Sequence, residues 1–362
     1  MADGLTDPSR VGLRSAGGGL SAGTDTNELF LKKFSGEILQ TFEESNIFKP
    51  LHTIRTIESG KSAQFPVTGI ASANYHTPGE NIAEQGGATS KYLSDIAKTE
   101  KIITIDKMLV ASTFLANIDD VKNHYDIRSV YANELGKALA VRFDTALAKV
   151  FIAAARSATN LDQVNKAGSI LDISQNAFVA VGATNSDVTD PSGAELVAAL
   201  FSAAQRMDEN DVPSDGRFCV LRPAEYYRLI TGADDSNSFS LTSAINKDIG
   251  GAGSLAAGNI PQIAGISIFK SNHIPSTDLS STSSGDGEAN NDVFGGNGVG
   301  YNGNFTNTKG IVSHSAAVGT VKLLDLATES EYQIERQGTL FVAKYAMGHG
   351  VLRPECAIEL IA

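Results

Sequence analysis

The sequence contains little cysteine, few basic residues and no long apolar run. Its 362 residues include two cysteines, Cys219 and Cys356, which stand far apart and in no Cys-x-x-Cys pattern. One pair of cysteines cannot build a disulfide framework or a zinc cage, so we expect two reduced thiols in the core. The longest apolar stretch, residues 150–155, is far shorter than the ~20 residues that a membrane helix needs. The polar first residues contain no apolar segment of the kind found in a secretory signal. A soluble protein of a reducing compartment is predicted.

Basic residues are scarce relative to acidic ones. Asp and Glu number 41 against 29 Lys and Arg, which gives a net charge of −12 and an isoelectric point near 5.0. A general phosphate-binding protein needs a positive surface, so nonspecific nucleic-acid binding is disfavoured. Charged residues make up 19% of the chain against a usual ~25%, while glycine is frequent, at 35 residues. This composition predicts extended, turn-rich surface, or surface that neighbours cover.

The first part of the chain is predicted to be an arm followed by an amphipathic helix. Residues 1–24 are polar and Gly-rich, and a helix is predicted to begin near Asp25, with Glu28 at capping-box spacing. An apolar stripe follows at intervals of four, formed by Phe30, Phe34, Ile38 and Phe42. Pro50 closes the helix. Because little sequence nearby could bury this stripe, we expect it to dock elsewhere.

Residues 57–108 have β-type sequence at both ends and a loose, Gly-rich middle. Residues 65–67 and 102–105 are the β-type ends, and Pro78-Gly79 lies between them. This pattern predicts a long two-stranded excursion that leaves the body and returns to it. An isolated two-stranded ribbon is marginal in water, so something outside it must support it.

A very long helix is predicted over residues 117–158, which contain no proline and one glycine, Gly136. Apolar residues recur there at helical spacing: Val121, Tyr125, Ala132, Leu135, Leu139, Phe143, Leu147, Val150 and Ala154. At 1.5 Å per residue such a helix is roughly 60 Å long. That length is unusual for a compact enzyme and typical of a structural spine.

A second helix and five strands are predicted farther along the chain. Ser192 and Glu195 form a capping box, and one helix face carries Leu196, Leu200, Ala204 and Met207. The predicted strands are residues 218–221, 266–270, 321–326, 332–335 and 340–345, several of which alternate apolar with polar residues. Residues 277–308 are mostly Ser, Gly, Asn and Asp and predict an exposed loop.

Two glycine-containing segments imitate phosphate-binding motifs, and both fail the comparison. Gly60-Lys61-Ser62 resembles the end of a P-loop, but Arg55 stands where the motif needs a glycine, and a proline soon follows instead of a helix. Residues 295–300 fail the dinucleotide fingerprint because Tyr301 stands where its last glycine belongs. A strand-entry turn and a surface loop are favoured over nucleotide binding.

The remaining polar residues do not form a convincing reactive set. The histidines are scattered, with no pair at metal-ligand spacing: His52, His76, His124, His273, His314 and His349. Residues 286–292 hold acidic and amide side chains at calcium-ligand spacing, but no bidentate glutamate follows, so a solvated loop is favoured over a weak calcium site. The acidic pairs at 119–120 and 234–235 suit a helix start and a loop. We therefore predict no catalytic, cofactor-binding or metal-ligating residues.

Several longer segments resemble a known family. They are residues 59–69 (SGKSAQFPVTG), 101–106 (KIITID), 123–129 (NHYDIRS), 265–275 (GISIFKSNHIP), 314–323 (HSAAVGTVKL) and 343–355 (AKYAMGHGVLRPE). In order and wording they resemble the HK97-like major capsid proteins of short-tailed, autographivirus-type tailed bacteriophages. The resemblance covers most of residues 27–135 and 258–362. The 277–308 insertion has no match.

The resemblance implies an α+β, HK97-like capsid fold. Residues 1–56 are then the N-arm and 57–108 the extended β-hairpin loop. Residues 109–190 and 311–346 form a peripheral domain that carries the spine helix 117–158. Residues 191–310 and 347–362 form an axial domain. The sequence predicts a helix with a single apolar face and a two-stranded ribbon, neither with a packing partner nearby in the chain. Both agree with a subunit whose neighbours complete its core.

The implied function is that of a non-enzymatic major capsid protein, located in the virion. It would self-assemble into pentamers and hexamers of an icosahedral head that encloses double-stranded DNA without sequence-specific binding. The resemblance also implies a scaffolding protein and a portal as partners, assembly in the bacterial cytoplasm, no membrane and no cofactor. An encapsulin-like nanocompartment shell is the alternative with the same fold, and a soluble hydrolase is the alternative from another class.

Overall fold

The structure, a computed structural model, describes residues 46–68, 71, 73–79, 81–82, 96, 98–105, 108–118, 127–157, 167–179, 191–231, 260, 262–278, 293–294, 299–300 and 303–362. Its strands are β1 (Thr53–Thr56), β2 (Ser62–Thr68), β3 (Lys98–Thr104), β4 (Leu109–Ala116), β5 (Ser169–Asp172), β6 (Ala177–Val179), β7 (Arg217–Leu221), β8 (Gln262–Ile263), β9 (Ile266–Lys270), β10 (Val293–Phe294), β11 (Val299–Gly300), β12 (Thr308–His314), β13 (Val318–Gln333), β14 (Gly338–Val351) and β15 (Ala357–Ile361). Its helices are α1 (Ile127–Ala155), α2 (Gly193–Glu209) and α3 (Pro223–Thr231), and 3-10 turns lie at Lys49–Leu51 and Pro354–Cys356.

The chain divides into two compact units. Over the described positions, the smaller unit is built from residues 108–144 and 323–347, and the larger from residues 47–105, 145–322 and 348–362. The domain boundaries implied by the family resemblance stay a prediction. The amphipathic helix predicted after Asp25 lies outside the described residues.

Helix α1 is the longest described helix. Its 29 residues span about 44 Å. The predicted long helix is thus confirmed over Ile127–Ala155. Residues 117–118 are also helical, and residues 119–126 lie outside the described part of the chain. The helix ends at Ala155, three residues before the predicted end, where Ser157 N–H donates to the Ala154 carbonyl in a tighter turn.

The smaller unit places a sheet against a helix. Strand β14 pairs antiparallel with β4, in a register that sets Thr339 opposite Leu115 and Tyr345 opposite Leu109. Directly opposed residues share a face, and on this face Leu115 and Tyr345 are buried. The Phe143 ring of α1 meets the Tyr345 ring edge-on at 6.2 Å, so this is the face that packs on the helix.

The larger unit contains a seven-stranded mixed sheet in the order β6-β5-β15-β12-β7-β9-β8. The β5–β15 and β7–β9 pairs are parallel, and the other pairs are antiparallel. Every residue of β5, β7 and β15 is buried, as expected of strands covered on both faces. The Phe151 ring of α1 contacts Phe218 of β7 at 5.5 Å and Phe48 at 5.9 Å, which joins the end of α1 to this core.

The capping box predicted for the second helix is present. The Ser192 hydroxyl accepts from the Glu195 N–H at 3.3 Å, and the Glu195 carboxylate accepts from the Ser192 N–H at 2.8 Å. Two N–H groups that a helix start leaves unpaired are thereby satisfied. The predicted apolar face of α2 is buried, including Leu196, Leu200 and Met207 at 0% exposure.

Four of the five predicted strands are confirmed within the observed ones, and the fifth is partly wrong. Residues 218–221 lie in β7, 266–270 in β9, 321–326 in β13 and 340–345 in β14. Of residues 332–335, only Tyr332 and Gln333 belong to β13. Ile334 opens a tight turn in which Gln337 has φ +50°. Alternating polarity cannot reveal such a turn, because exposed hairpin tips keep mixed polarity.

The two-residue turn between β8 and β9 carries a strained alanine. Ile263 pairs with Ile266, and the connecting Ala264 and Gly265 have φ +52° and +76°. Two positive φ values define a type I′ turn, which favours Asn or Gly over Ala at its first position. We expect Ala264→Asn to raise the free energy of unfolding by about 0.5–1 kcal/mol, because Asn tolerates this conformation better. Urea unfolding of the unassembled subunit measures it. Gly265→Ala is the matched control and should lower stability.

Candidate assembly surfaces

The P-loop-like segment is a strand-entry turn. Gly60 has φ +116°, a conformation that glycine adopts without strain, and strand β2 begins at Ser62. No helix follows whose N-terminus could hold a phosphate. The Lys61 carbonyl instead accepts from the Ile105 N–H at 2.8 Å, which closes the base of the paired strands β2 and β3.

Three of the predicted structural histidines are held by local hydrogen bonds. His52 Nδ1 lies 2.8 Å from the Phe48 carbonyl, and His349 Nδ1 lies 2.8 Å from the Thr320 hydroxyl. His314 Nδ1 accepts from the Ala316 N–H, so its Nε2 carries the proton and donates to the Asp215 carbonyl at 2.8 Å. Burial lowers the pKa of His314. In the described part of the chain no three His, Cys, Asp or Glu side chains come together as a metal site.

Both cysteines are unbridged core thiols, as predicted. Cys219 and Cys356 are buried. Burial raises the pKa of the Cys219 thiol far above its ordinary value and that of the Cys356 thiol to about 12. A nucleophilic cysteine needs the opposite shift, so neither thiol is poised for chemistry.

The other candidate polar groups lie outside the described residues. This applies to the possible calcium ligands at 286–292, to the acidic pairs at 119–120 and 234–235, and to His124. Among the described helices, none combines the length and the apolarity that a membrane crossing requires.

Residues 62–68 and 98–104 form two paired antiparallel strands, as the sequence predicted for the two ends of the excursion. Strand β2 pairs with β3 over seven positions, from Ser62 opposite Thr104 to Thr68 opposite Lys98. One face carries the pairs Ala63–Ile103, Phe65–Lys101 and Val67–Thr99, and the other carries Gln64–Ile102, Pro66–Glu100 and Thr68–Lys98. We call these strands and the segment that joins them the ribbon.

The base of the ribbon is part of the core of its own subunit. Ala63 and Ile103 form a buried cluster with Val321 of β13 and with Leu352. Gly350 allows this close approach, because a Cβ there would lie 2.8 Å from the Ile103 side chain. The base of the ribbon is therefore anchored by the Ala63–Ile103 pair, with Phe65 packed against the same cluster.

Burial falls along the ribbon away from its base. On the face that carries Ala63 and Ile103, Ile103 is 1% exposed, Phe65 and Lys101 are half-buried, and Thr99 at the outer end is exposed. Beyond it, the Tyr75 side chain is 100% exposed. Two-stranded ribbons need a packed face to be stable, so the outer part of this one calls for a surface that the described residues of the subunit do not provide.

The described surface carries many large apolar side chains. In the smaller unit they are Met108, Val110, Ile118, Val141, Leu324, Tyr332 and Ile334, and in the larger unit Ile54, Tyr75, Ile82, Ile96, Ile102, Phe178, Phe201, Tyr227 and Phe269. Scattered apolar residues are normal on a protein surface, but side chains as exposed as Tyr75 (100%) and Ile334 (74%) are typical of contacts with partners.

A buried ion pair that the sequence did not predict holds the end of α1 in the larger unit. Arg156 donates from Nε and Nη2 to the two carboxylate oxygens of Glu359, both at 2.6 Å, and Glu359 is fully buried. Thr308 donates its hydroxyl to the same carboxylate, and Arg156 Nη1 donates to the Asn304 carbonyl at 2.8 Å. The Arg156 guanidinium also lies 5.5 Å from the centre of the Phe305 ring. These contacts tie the residue that follows α1 to strand β15.

The buried His349 makes the subunit sensitive to acid. Burial, and to a lesser degree the neighbouring His52, lower the pKa of His349 to about 3. An unfolded chain protonates this imidazole near pH 6.5, so the unfolded state binds the extra proton between pH 6.5 and about 3. The stability contribution of neutral His349 is thus complete above pH 6.5 and is lost as pH falls through that window.

We expect His349→Gln to flatten the decline of stability in acid. The wild-type free energy of unfolding should fall more steeply than that of the variant between pH 6.5 and 4, by at most about 1.4 kcal/mol per pH unit, the value for one proton. Urea unfolding of the unassembled subunit at several pH values measures both slopes. The exchange of the exposed His76 for Gln is the matched control. Equal slopes for wild type and His349→Gln would contradict the prediction.

The chain resembles capsid proteins of phages in sequence and structure. A family model described as "Gp10A-like: Major capsid protein" matches residues 64–361. The major capsid protein of Escherichia phage T7 is 34% identical, with 98% of this chain and 97% of that protein covered. The major capsid protein of Enterobacteria phage T3 is 33% identical, with 95% and 94% covered.

The chain also resembles a solved capsid structure in its fold. The structure titled "Capsid structure of the Cyanophage P-SCSP1u" matches with a TM-score of 0.73 and 40% identity, covering 98% of each chain. Both kinds of comparison extend over nearly the whole chain, including residues 136–257, which lie outside the ranges that the sequence resemblance covered.

Proposed function

Since the chain belongs to the Gp10A-like family of major capsid proteins, we propose that it closes the shell of a phage head by laying its ribbon over a neighbouring copy of itself. The chain is a structural protein of the virion capsid with an HK97-like fold. The single observation behind the ribbon's role is the fall in burial along one face, from Ile103 at its base through Lys101 to Thr99 at its outer end.

The ribbon is close to neutral, whereas the whole chain carries −12. Over residues 62–104 its charged residues are Lys91, Lys98 and Lys101 against Glu80, Glu84, Asp95 and Glu100. The Arg55 guanidinium donates to the Gln64 carbonyl at 2.7 Å and lies over the Phe65 ring, so one positive charge is fixed at the base. A nearly neutral ribbon meets little charge repulsion from an acidic second copy of the chain.

The subunit's regions take the roles that the family resemblance implies. Residues 1–56 act as the N-arm and 57–108 as the extended loop. Residues 109–190 with 311–346 form the peripheral domain around the spine helix, and residues 191–310 with 347–362 form the axial domain. Contacts of arm and ribbon with neighbours repeat from subunit to subunit until the symmetry of the shell closes them.

The proposed shell is icosahedral, built from pentamers and hexamers, and encloses double-stranded DNA. A scaffolding protein and a portal act during assembly. The net charge of −12 suits an inner wall that contains DNA without binding its phosphates. No residue acts as a catalyst, and the function needs none. An encapsulin-like compartment and a soluble hydrolase are not favoured by family relatives that are phage capsid proteins.

Electron microscopy of the chain expressed in bacteria tests this function. We expect closed shells of uniform size when a scaffolding protein is coexpressed, and fewer or irregular particles without it. A purified chain that remains monomeric under both conditions would contradict the assignment. Shells that enclose a cellular enzyme would instead support the nanocompartment alternative.

A further inference from the structure

Three glycines in the interiors of strands β13 and β14 lie against the base of the ribbon. They are Gly319, Gly348 and Gly350. A Cβ added at Gly348 would overlap the Thr104 carbonyl oxygen, and one at Gly350 would lie 2.8 Å from the Ile103 side chain. A glycine weakens a strand interior and often marks the place where another backbone approaches closely. Here that backbone is strand β3. We call these three glycines the glycine seat.

The contact at Gly348 is made by backbone rather than by a side chain. The atoms that an added Cβ would meet are the carbonyl group of Thr104 and the Cα of Ile105. A flexible side chain could move aside, but this backbone is tied to β2, because the Ile105 N–H donates to the Lys61 carbonyl at 2.8 Å. A side chain at position 348 would therefore displace the ribbon itself.

Arg55 holds the other strand of the ribbon. Its guanidinium donates to the Gln64 carbonyl of β2 at 2.7 Å and lies 5.5 Å from the centre of the Phe65 ring. Arg55 belongs to β1, which pairs in parallel with residues 319–322 of β13. Because β13 also carries part of the glycine seat, both strands of the ribbon are referred to the same strand of the larger unit.

We propose that Arg55 and the glycine seat are positioning residues, which hold the ribbon in one direction before it meets a neighbouring copy. The inference deepens the proposed function of the ribbon and rests on it. A ribbon already held in one direction loses less conformational entropy on docking than one that swings about its base. A contact that repeats in every copy of a closed shell also requires the same direction in every subunit.

Core packing is the competing explanation for these contacts, and Arg55 argues against it. Its side chain is exposed, so it fills no space in the buried cluster around Ile103. Exposed hydrogen bonds and ring contacts of a single arginine contribute little to the stability of a subunit. Two contacts from one exposed side chain to successive residues of β2 are better suited to fixing the direction of that strand.

Distances between two spin labels measure the direction of the ribbon in the unassembled, full-length subunit. Thr99→Cys places one label at the exposed outer end of β3, and Phe201→Cys places the other on the exposed face of α2. The native thiols of Cys219 and Cys356 are buried and should not take up label. The otherwise unchanged chain should give one narrow distribution of distances.

Two variants should change this distribution in different ways. Arg55→Ala should broaden it about twofold, because the ribbon gains freedom to swing. Gly348→Ala should shift its centre by at least about 1.5 Å, the room that an added carbon needs to reach van der Waals distance from the Thr104 carbonyl. Without labels, Arg55→Ala should keep the wild-type urea midpoint and lower the yield of closed shells about tenfold.

Matched controls exist for both substitutions. Arg206 is a partly exposed arginine of the larger unit that lies 5.1 Å from the centre of the Phe178 ring, so Arg206→Ala removes a similar contact away from the ribbon. It should change neither the distances nor the yield. Gly338→Ala crowds Phe114 in the part of β14 that belongs to the smaller unit. It should lower the urea midpoint and leave the distances unchanged.

The outcomes separate positioning from folding and from the proposed function itself. Unchanged distances in Arg55→Ala would overturn the inference even if Gly348→Ala does not fold. A broadened distribution with a normal yield of shells would overturn it as well, because the direction of the ribbon would then not matter for assembly. A urea midpoint of Arg55→Ala as low as that of Gly338→Ala would assign Arg55 to core packing. Absence of closed shells from the wild-type chain would overturn the proposed function instead.

Discussion

Replacing residues 69–97 with a two-residue Asn-Gly turn is expected to leave a folded subunit that forms no closed shells. The last ladder pair, Thr68 and Lys98, stands close enough for such a hairpin turn to join the strands. The base cluster around Ala63 and Ile103 is kept, so the subunit retains its core. What is lost is the segment that joins the paired strands, which is proposed to cover a neighbour.

The measurement compares two properties of the shortened chain. Its urea midpoint should stay close to the wild-type value, whereas its yield of closed shells should fall below detection, because ribbon contacts occur once in every copy. Ile103→Ala is a control for which a loss of subunit stability is expected. It removes the base cluster's largest side chain and should lower the stability of the subunit by about 2–5 kcal/mol. Intact shells from the shortened chain would exclude a role for the ribbon in assembly.

Local patterns in the sequence predicted the elements that local physics controls. The capping box of Ser192 and Glu195 is satisfied by atoms three residues apart, so its sequence signature is nearly its structure. The ribbon was predicted because both ends have β-type sequence and the middle is loose and Gly-rich. The long helix followed from apolar spacing and the absence of proline. Each of these inferences needed only neighbours along the chain.

Long-range pairing explains what the sequence did not predict. Strands β5, β12 and β15 were not anticipated, although they lie in the middle of the largest sheet. Residues 357–361 are a short apolar run, and such runs do not distinguish a strand from a buried helix. Their strand character comes from pairing with residues 169–172 and 308–313, which no local signal announces.

Some features of the candidate surfaces also follow from local sequence, and others depend on contacts between distant parts of the chain. The sequence could predict a ribbon that lacks packing partners, because the segments next to its two strands along the chain offer none. The exposed apolar side chains at the turn between β13 and β14 could not, since they depend on a turn at Ile334 where a strand was predicted, and on Ile118 from another part of the chain. Arg156 and Glu359 are 203 positions apart, and each has the appearance of an ordinary surface charge in the sequence.

Removal of Arg156 is expected to cause the largest loss of stability from a single side chain. The Glu359 carboxylate is fully buried, and in Arg156→Ala it keeps only the Thr308 hydroxyl among the donors described here. A buried charge that loses its partner costs about 3–5 kcal/mol. The loss should appear as a lower urea midpoint of the unassembled subunit. Lys137→Ala, which removes an exposed pair with Glu134, should cost under about 1 kcal/mol.

A double variant shows whether this loss comes from the stranded carboxylate rather than from the missing side-chain volume. Arg156→Met with Glu359→Leu removes both charges and keeps most of the packing, so it should recover much of the stability lost in Arg156→Ala. If the double variant is as unstable as Arg156→Ala, packing of Arg156 against Phe305 is the dominant contribution. If Arg156→Ala is as stable as wild type, the ion pair does not hold the end of α1. The double variant is expected to be more stable than Arg156→Ala, because Arg156→Ala leaves one charge alone in a buried site.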